Sequence, residues 1–210
     1  MEEQLTGVLN LDLRALDADT ELMLRFQAGE AECFDQLVTR HRRGVLNFIG
    51  RMVQDSAIGE ELAQETFLRV YLSRDRYTPK AKFTTWLYRI ASHLALNHLR
   101  DHKHDRRTES LDETDEEGHT PVQEFSDQRP GAEARLLEEE RQAFIRRAIA
   151  KLPERQRAAV IMHKYQGLGY QEIGGALELS ESATKSLLFR AYEALRKELR
   201  PLLQNGEVLS

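Results

Sequence analysis

A chain of 210 residues holds one domain or two small ones, and its 40% hydrophobic and 31% charged residues supply ordinary cores while excluding global disorder. That size excludes a large enzyme, and the single cysteine, Cys33, excludes an intramolecular disulfide or a cysteine-based metal cluster. The net charge of −5 conceals alternating blocks, −6 over residues 1–75, +6 over 76–107, −10 over 108–140 and +5 over 141–210, so the two basic blocks remain candidate DNA contacts despite the acidic total.

In chain order, a short helix capped by Asp19 and ended by Gly29 comes first. From Glu30 to Val53 a stripe of Phe34, Leu37, Val38, His41, Val45, Phe48, Ile49 and Met52 follows helical spacing and marks one buried face. Asp55 or Ser56 caps a third helix through about Ser73, with Ile58, Leu62, Thr66 and Val70 in one row and Ala63, Phe67 and Tyr71 in the next. Its other side is acidic, with Asp55, Glu60, Glu61, Gln64 and Glu65, which alone reads as a solvated face. A loop from Arg74 to Lys82 with Pro79 precedes a fourth helix starting near Phe83 or Thr84, whose inner stripe is Leu87, Ile90, Ala91, Leu94 and His98.

Five of the chain's 15 aromatic residues, Tyr71, Tyr77, Phe83, Trp86 and Tyr88, fall between Tyr71 and Arg89 and are interleaved with Arg74, Arg76, Lys80, Lys82 and Arg89. Cations that track a phosphate backbone beside rings that stack on unpaired bases are what single-stranded DNA requires. At least half of these rings are expected in the core instead; the loop Thr78 to Lys82 is not accounted for that way.

Residues 104–131 carry few large apolar side chains, two prolines and the acid run Asp112 to Glu117, and read as a flexible linker able to span at most about 90 to 100 Å. Beyond it, helices are predicted near Ala132 to Lys151, Glu154 to Tyr165, Tyr170 to Leu177 and Ser180 to Leu199, the last stopped by Pro201. The expected fold is all-α, two small four-helix domains at 19–103 and 132–203 with a tail at 204–210. Tyr170 to Leu177, the turn Glu178-Leu179-Ser180 and the following helix form a helix-turn-helix, with small Gly174, Gly175 and Ala176 allowing close helix approach. In that geometry Ser182, Ala183, Lys185, Ser186, Phe189 and Arg190 meet the major groove. An ordinary αα-hairpin packed within the domain is the competing reading.

Four segments, ELAQETFLRVY, FTTWLYRIASHLALNHLR, KLPERQRAAVIMHKYQGLGYQEIGGAL and ATKSLLFRAYEALR, resemble in order and spacing the sigma factors of bacterial RNA polymerase, of the sigma-70 family and its extracytoplasmic-function group. The resemblance covers about residues 19–103 and 133–200 and leaves residues 1–18 as an extension without an assigned role. It implies that Asp55, Glu61, Gln64 and Glu65 dock on the clamp helices of the largest subunit of core polymerase. It implies further that the loop Thr78 to Lys82 and the start of the fourth helix capture a flipped base and melt the minus-10 element, at a surface made by Arg76, Thr78, Lys80, Lys82, Trp86, Arg89 and His93. Residues 182–190 would read the minus-35 element as duplex, and the linker would thread near the RNA exit path. His93 stands where many members carry asparagine, Leu187 replaces a common arginine and Ser182 a common glycine. An anti-sigma protein covering both domains is a common partner in this family.

An enzyme is the first competitor, since His98 and His102 share a helical face. The stretch HLRDH is not the HExxH of a zinc protease, and no phosphate loop or Ser/His/Asp pattern is present, so neither catalysis nor a metal or other cofactor is expected. The second competitor, a dimeric helix-turn-helix repressor or activator that does not dock on polymerase, explains the basic C-terminal block but not the aromatic-basic segment. No apolar run approaches the ~20 residues of a membrane span, and the first residues are acidic where a signal peptide is basic. A cytoplasmic protein without membrane insertion is therefore expected.

Overall fold

The computed structural model describes residues 17–109 and 132–200, with the backbone alone for 104–109 and 132–137. Residues 1–16, 110–131 and 201–210 lie outside it, and with them most of the expected extension, linker and tail. Among the described residues there are α-helices, one 3-10 turn and no strand: α1 (Ala18–Gln27), α2 (Ala31–Val53), α3 (Ser56–Leu72), the turn Arg74–Arg76, α4 (Phe83–Glu109), α5 (Ala132–Ala150), α6 (Glu154–Tyr165), α7 (Tyr170–Leu177) and α8 (Glu181–Glu198).

The cap of α1 is Asp17, not Asp19: the Asp17 carboxylate accepts from the Thr20 N–H at 3.2 Å and from the Thr20 hydroxyl at 2.6 Å. Asp19, already inside the helix, accepts instead from Arg40 and lies 2.8 Å from His41 Nε2, tying α1 to α2. The Thr20 hydroxyl, 1% exposed, accepts in turn from the Phe83 N–H at 3.1 Å. An otherwise orphaned donor at the start of α4 is thus capped by a relay from the far end of the domain. Gly29, at a φ of +109°, ends α1 as expected.

Helix α2 buries Leu37, Val45, Phe48, Ile49 and Met52, all at 0% exposure, as its stripe predicts. It ends without a glycine, since Gln54 takes the left-handed conformation (φ 61°) and donates its N–H to Gly50 O at 2.8 Å. The next helix starts on the expected Asp55 cap, whose carboxylate accepts from Ile58 N–H at 3.0 Å. Where α2 and α3 cross, a Cβ on Gly59 would stand 3.2 Å from Gly50 Cα, tighter than an ordinary van der Waals contact, so the two glycines let the helices approach closely. Thr66 is fully buried and donates to Leu62 O, whereas Tyr71, expected in the buried row, is 42% exposed and packs only partly, against Phe26 and Phe34.

Helix α4 departs most from expectation. It continues to Glu109, into the segment expected to be linker from His104. Leu87, Ala91 and Leu94 bury one face against the N-terminal helices, and a second face carrying Thr85, Tyr88 and Ser92 is buried against α6 and α7. The two halves of the chain consequently share one continuous apolar core. The two expected helical domains thus pack against each other through a second face of α4, whereas the sequence reading gave this helix a single buried stripe.

Candidate functional site

Three surfaces carry the residues singled out above. On α3, Glu61, Gln64, Leu68 and Leu72 follow helical spacing along one outward face with the half-buried Glu65, while Glu60 and Asp55 are exposed nearby. Asp55 is also committed to capping, and Glu65 accepts from Arg69 Nε at 2.7 Å. Leu68 and Leu72, 50% and 68% exposed, were missed by the sequence reading. The available signal was their place off both buried rows and in line with Glu61 and Glu65. The stripe is thus acidic along most of its length and turns apolar at its C-terminal end.

The second surface surrounds the start of α4. Gln27 Nε2 donates to Arg74 O at 2.9 Å and Tyr77 O at 3.2 Å, so the end of α1 fixes the path of the loop. Arg76, Thr78 and Lys80 are exposed on it. Most of the rings lie elsewhere: Phe83 (0% exposed), Tyr77 (4%) and Tyr88 (4%) are core. Trp86 is half-buried, 4.9 Å from Tyr77 ring to ring, and remains at the edge of the surface. The basic loop is therefore open, and of the five rings only Trp86 and Tyr71 remain partly accessible.

Lys82, Arg89 and His93 do not all face water. Lys82 pairs with Glu172 of α7 at 2.9 Å, His93 Nε2 lies 3.6 Å from Glu178 Oε2, and Arg89 is half-buried. Burial would raise the Glu172 carboxyl, but Lys82 and the Gly169 N–H, 2.7 Å away, outweigh it and hold the group below the usual carboxylate range. The same hydrogen bond raises the Lys82 ammonium, which stays charged.

The third surface is the helix-turn-helix. Glu178 (φ 56°) reverses the chain after α7, and Ser180 caps α8 through its Oγ, which accepts from Ala183 N–H at 3.2 Å. Thr184 is buried and donates to Ser180 O, and Leu188 is buried with it. This register turns Ser182, Lys185, Ser186, Phe189 and Arg190 outward and leaves Ala183 half-exposed. Phe189, at 68% exposure, is the largest apolar group so presented on α8. Leu187 is partly buried and packs against the core, away from the exposed side of α8. Lys185 is held by Glu181 at 2.6 Å, which raises its pKa, and its ammonium lies 5.8 Å from the centre of the Tyr170 ring. Behind the helix, His163 Nδ1 is 2.6 Å from Tyr192 OH and the His163 ring stacks on Tyr170, so the side chains that flank Lys185 are themselves fixed.

His98 and His102 lie ring to ring at 5.4 Å. Among the described residues no group of three or more His, Cys, Asp or Glu is placed to hold a metal ion, and no helix is long and apolar enough to cross a membrane.

Residues 37–105 match the family model for sigma-70 region 2, and residues 143–195 that for sigma-70 region 4. RNA polymerase sigma-H factor of Pseudomonas aeruginosa is 33% identical over 195 residues, which cover 90% of this chain and 98% of that protein. The extracytoplasmic-function sigma-E factor of Escherichia coli is 30% identical over 189 residues, 89% of this chain and 96% of its own length. The fold is also that of the sigma factor RpoE of Bartonella quintana, solved with the anti-sigma factor NepR, with a TM-score of 0.62 over 80% of this chain and 96% of that one at 17% identity.

Proposed function

The chain belongs to the extracytoplasmic-function group of the sigma-70 family, and on that premise we propose how its surfaces divide the work of a promoter-specificity subunit. It binds core RNA polymerase, recognises the minus-10 and minus-35 elements and helps melt DNA for transcription initiation. Polymerase, in the cytoplasm, performs the nucleotidyl transfer; this chain contributes promoter choice and is not catalytic.

In the proposed division, α3 docks on the polymerase through Glu61, Gln64 and Glu65, with Asp55 at its capped end. The loop with Arg76, Thr78, Lys80 and Lys82, together with Trp86, Arg89 and His93, handles the opened minus-10 strand. Helix α8 reads the minus-35 duplex. The observation that carries this reading is the register of α8, which buries Thr184 and Leu188 and presents Lys185, Ser186, Phe189 and Arg190 on one face. Cationic forks and hydroxyls there suit base edges and phosphates, and Phe189 suits a thymine methyl. A further partner is proposed by likeness to the Bartonella quintana protein: an anti-sigma factor that covers both domains.

Run-off transcription with core polymerase on a pool of promoter fragments tests the whole reading. Transcripts with defined starts are expected only when the chain is added. Binding of duplex by a dimer of the chain, without polymerase docking, would replace it with the helix-turn-helix regulator.

Two substitutions test the division of labour. Lys185→Ala is expected to weaken minus-35 binding and to reduce the slope of log affinity against log salt by about one if the ammonium meets phosphate. An unchanged slope and sequence preference would move that contact elsewhere. Lys80→Ala combined with Lys82→Ala is expected to lower the rate of DNA opening about tenfold while leaving polymerase docking within about twofold, because both cations lie on the loop and neither on α3. Equal losses of opening and docking would contradict the assignment.

A further inference from the structure

Three acids lie between Tyr170 and Arg190, and they face different surroundings. Glu172 pairs with Lys82, and Glu178 lies 3.6 Å from His93 Nε2, so both are engaged with α4. Glu181 is the first residue of α8, exposed one helical turn before Lys185 and on the same side of the helix. A carboxylate is out of character there, because phosphate attracts cations to a duplex-binding surface and repels an anion placed on it.

The acid is held from two helices. Its Oε1 accepts from Lys185 Nζ at 2.6 Å, and its Oε2 accepts from Gln171 Nε2 of α7 at 3.1 Å. These bonds, the one from Lys185 above all, keep the carboxyl below the usual carboxylate range, so it is ionised at neutral pH. Lys185 is backed in turn by the Tyr170 ring, which stacks on His163, and His163 Nδ1 lies 2.6 Å from Tyr192 OH. An exposed i,i+4 pair alone fixes little; here groups from α6 and α7 add to it.

Each oxygen of an ionised carboxylate offers about two acceptor sites, and a single bond to each leaves the other site available. The first turns of the second helix of a helix-turn-helix meet base edges in the major groove. Among those edges, the N4 amino group of cytosine is the donor that a carboxylate pairs with, whereas guanine and thymine present acceptors that repel it. The guanine paired with that cytosine presents O6 and N7, which suit an ammonium. Glu181 and Lys185, side by side, thus match the two halves of one C·G pair.

We propose that Glu181 is a specificity-determining residue of the minus-35 surface, its carboxylate accepting from the N4 amino group of a cytosine while Lys185 donates to the guanine of the same pair. Gln171 acts through Glu181 as a positioning residue. The inference rests on the minus-35 role proposed for α8. Exclusion contributes as much as attraction, since a guanine or thymine at this position would set an acceptor against a desolvated anion.

Selection of the full chain, bound to core polymerase, on promoter fragments randomised through the minus-35 element tests this. The wild type is expected to prefer C·G at one position, and Glu181→Ala to lose about fivefold or more of the discrimination there while the other positions change by less than about twofold. Glu181→Gln, of the same length, is expected to move the preference at that position toward adenine, whose N6 and N7 suit an amide. It decides the matter equally should the alanine variant fold poorly. An acid that served only to complement the N-terminus of α8 would, on removal, lower affinity for all sequences alike and lower the thermal melt. That uniform loss, an unchanged profile in both variants, or a wild type without a C·G preference overturns the inference. A wild type with no preference anywhere in the element removes the minus-35 role of α8 as well, whereas a preference that both variants retain leaves that role standing and removes Glu181 from it.

Discussion

Glu65→Lys is expected to weaken binding of the chain to core polymerase by about tenfold or more, equivalent to ~1.4 kcal/mol. The side chain is about a third exposed on the α3 stripe, with Glu61 one turn before it and Leu68 and Leu72 following. Its partner within the helix is Arg69, and the reversal replaces an i,i+4 attraction with repulsion, costing the fold only a few tenths of a kcal/mol. A larger loss in affinity, with an unchanged thermal melt, therefore belongs to the interface. Charge reversal at an interface centre adds repulsion and leaves the facing cation unpaired, so the effect exceeds that of a rim substitution. Titration of labelled chain with core polymerase measures it, and wild-type affinity would remove Glu65 from the site.

Gly174→Val is expected to destabilise the helix-turn-helix by about 2 to 3 kcal/mol and to abolish minus-35 binding near its lowered melting temperature. Replacing a helical glycine ordinarily helps a helix, but by less than about 1 kcal/mol. Here the added Cβ would stand 2.8 Å from Leu179 O and 3.1 Å from Thr184 Oγ1, and the two γ-methyls of valine enlarge the clash. The carbonyl belongs to the turn that sets α7 against α8 and cannot swing aside as a flexible side chain would. Packing outweighs propensity, and a thermal melt followed by circular dichroism is expected to shift downward by roughly 10 °C for a domain of this size. A wild-type melt would show that the turn relaxes more readily than its backbone contacts imply.

Most of the fold was legible in the sequence because it is written in local periodicity. The stripe from Phe34 to Met52, the Asp55 and Ser180 caps and the small-residue approach at Gly174 all act within a few residues or between adjacent helices. The exposed side of α8, proposed as the recognition face, was legible for the same reason, since burial of Thr184 and Leu188 fixes which side is presented. What escaped the sequence acts at long range. Nothing near Tyr88 announces Gln166, and nothing near Phe83 announces Thr20, because a hydrogen bond across many tens of residues leaves no local pattern. The aromatic cluster misled in a related way, since core and stacking rings share one composition. Tyr77, Phe83 and Tyr88 turned inward and left only Trp86 and Tyr71 partly accessible.

The Asp17–Thr20–Phe83 relay bears on how promoter preference can be transplanted between chains. The residues just before α4, Ala81 and Lys82, offer no capping hydroxyl or carboxylate of their own, so the helix that carries Trp86, Arg89 and His93 starts on a group supplied by α1. A graft of the loop and α4 alone would import the residues proposed to meet the minus-10 strand without the anchor that sets their position. The smallest transferable cassette for the proposed minus-10 surface is accordingly discontinuous, and a chimaera has to carry the matching start of α1 along with the loop.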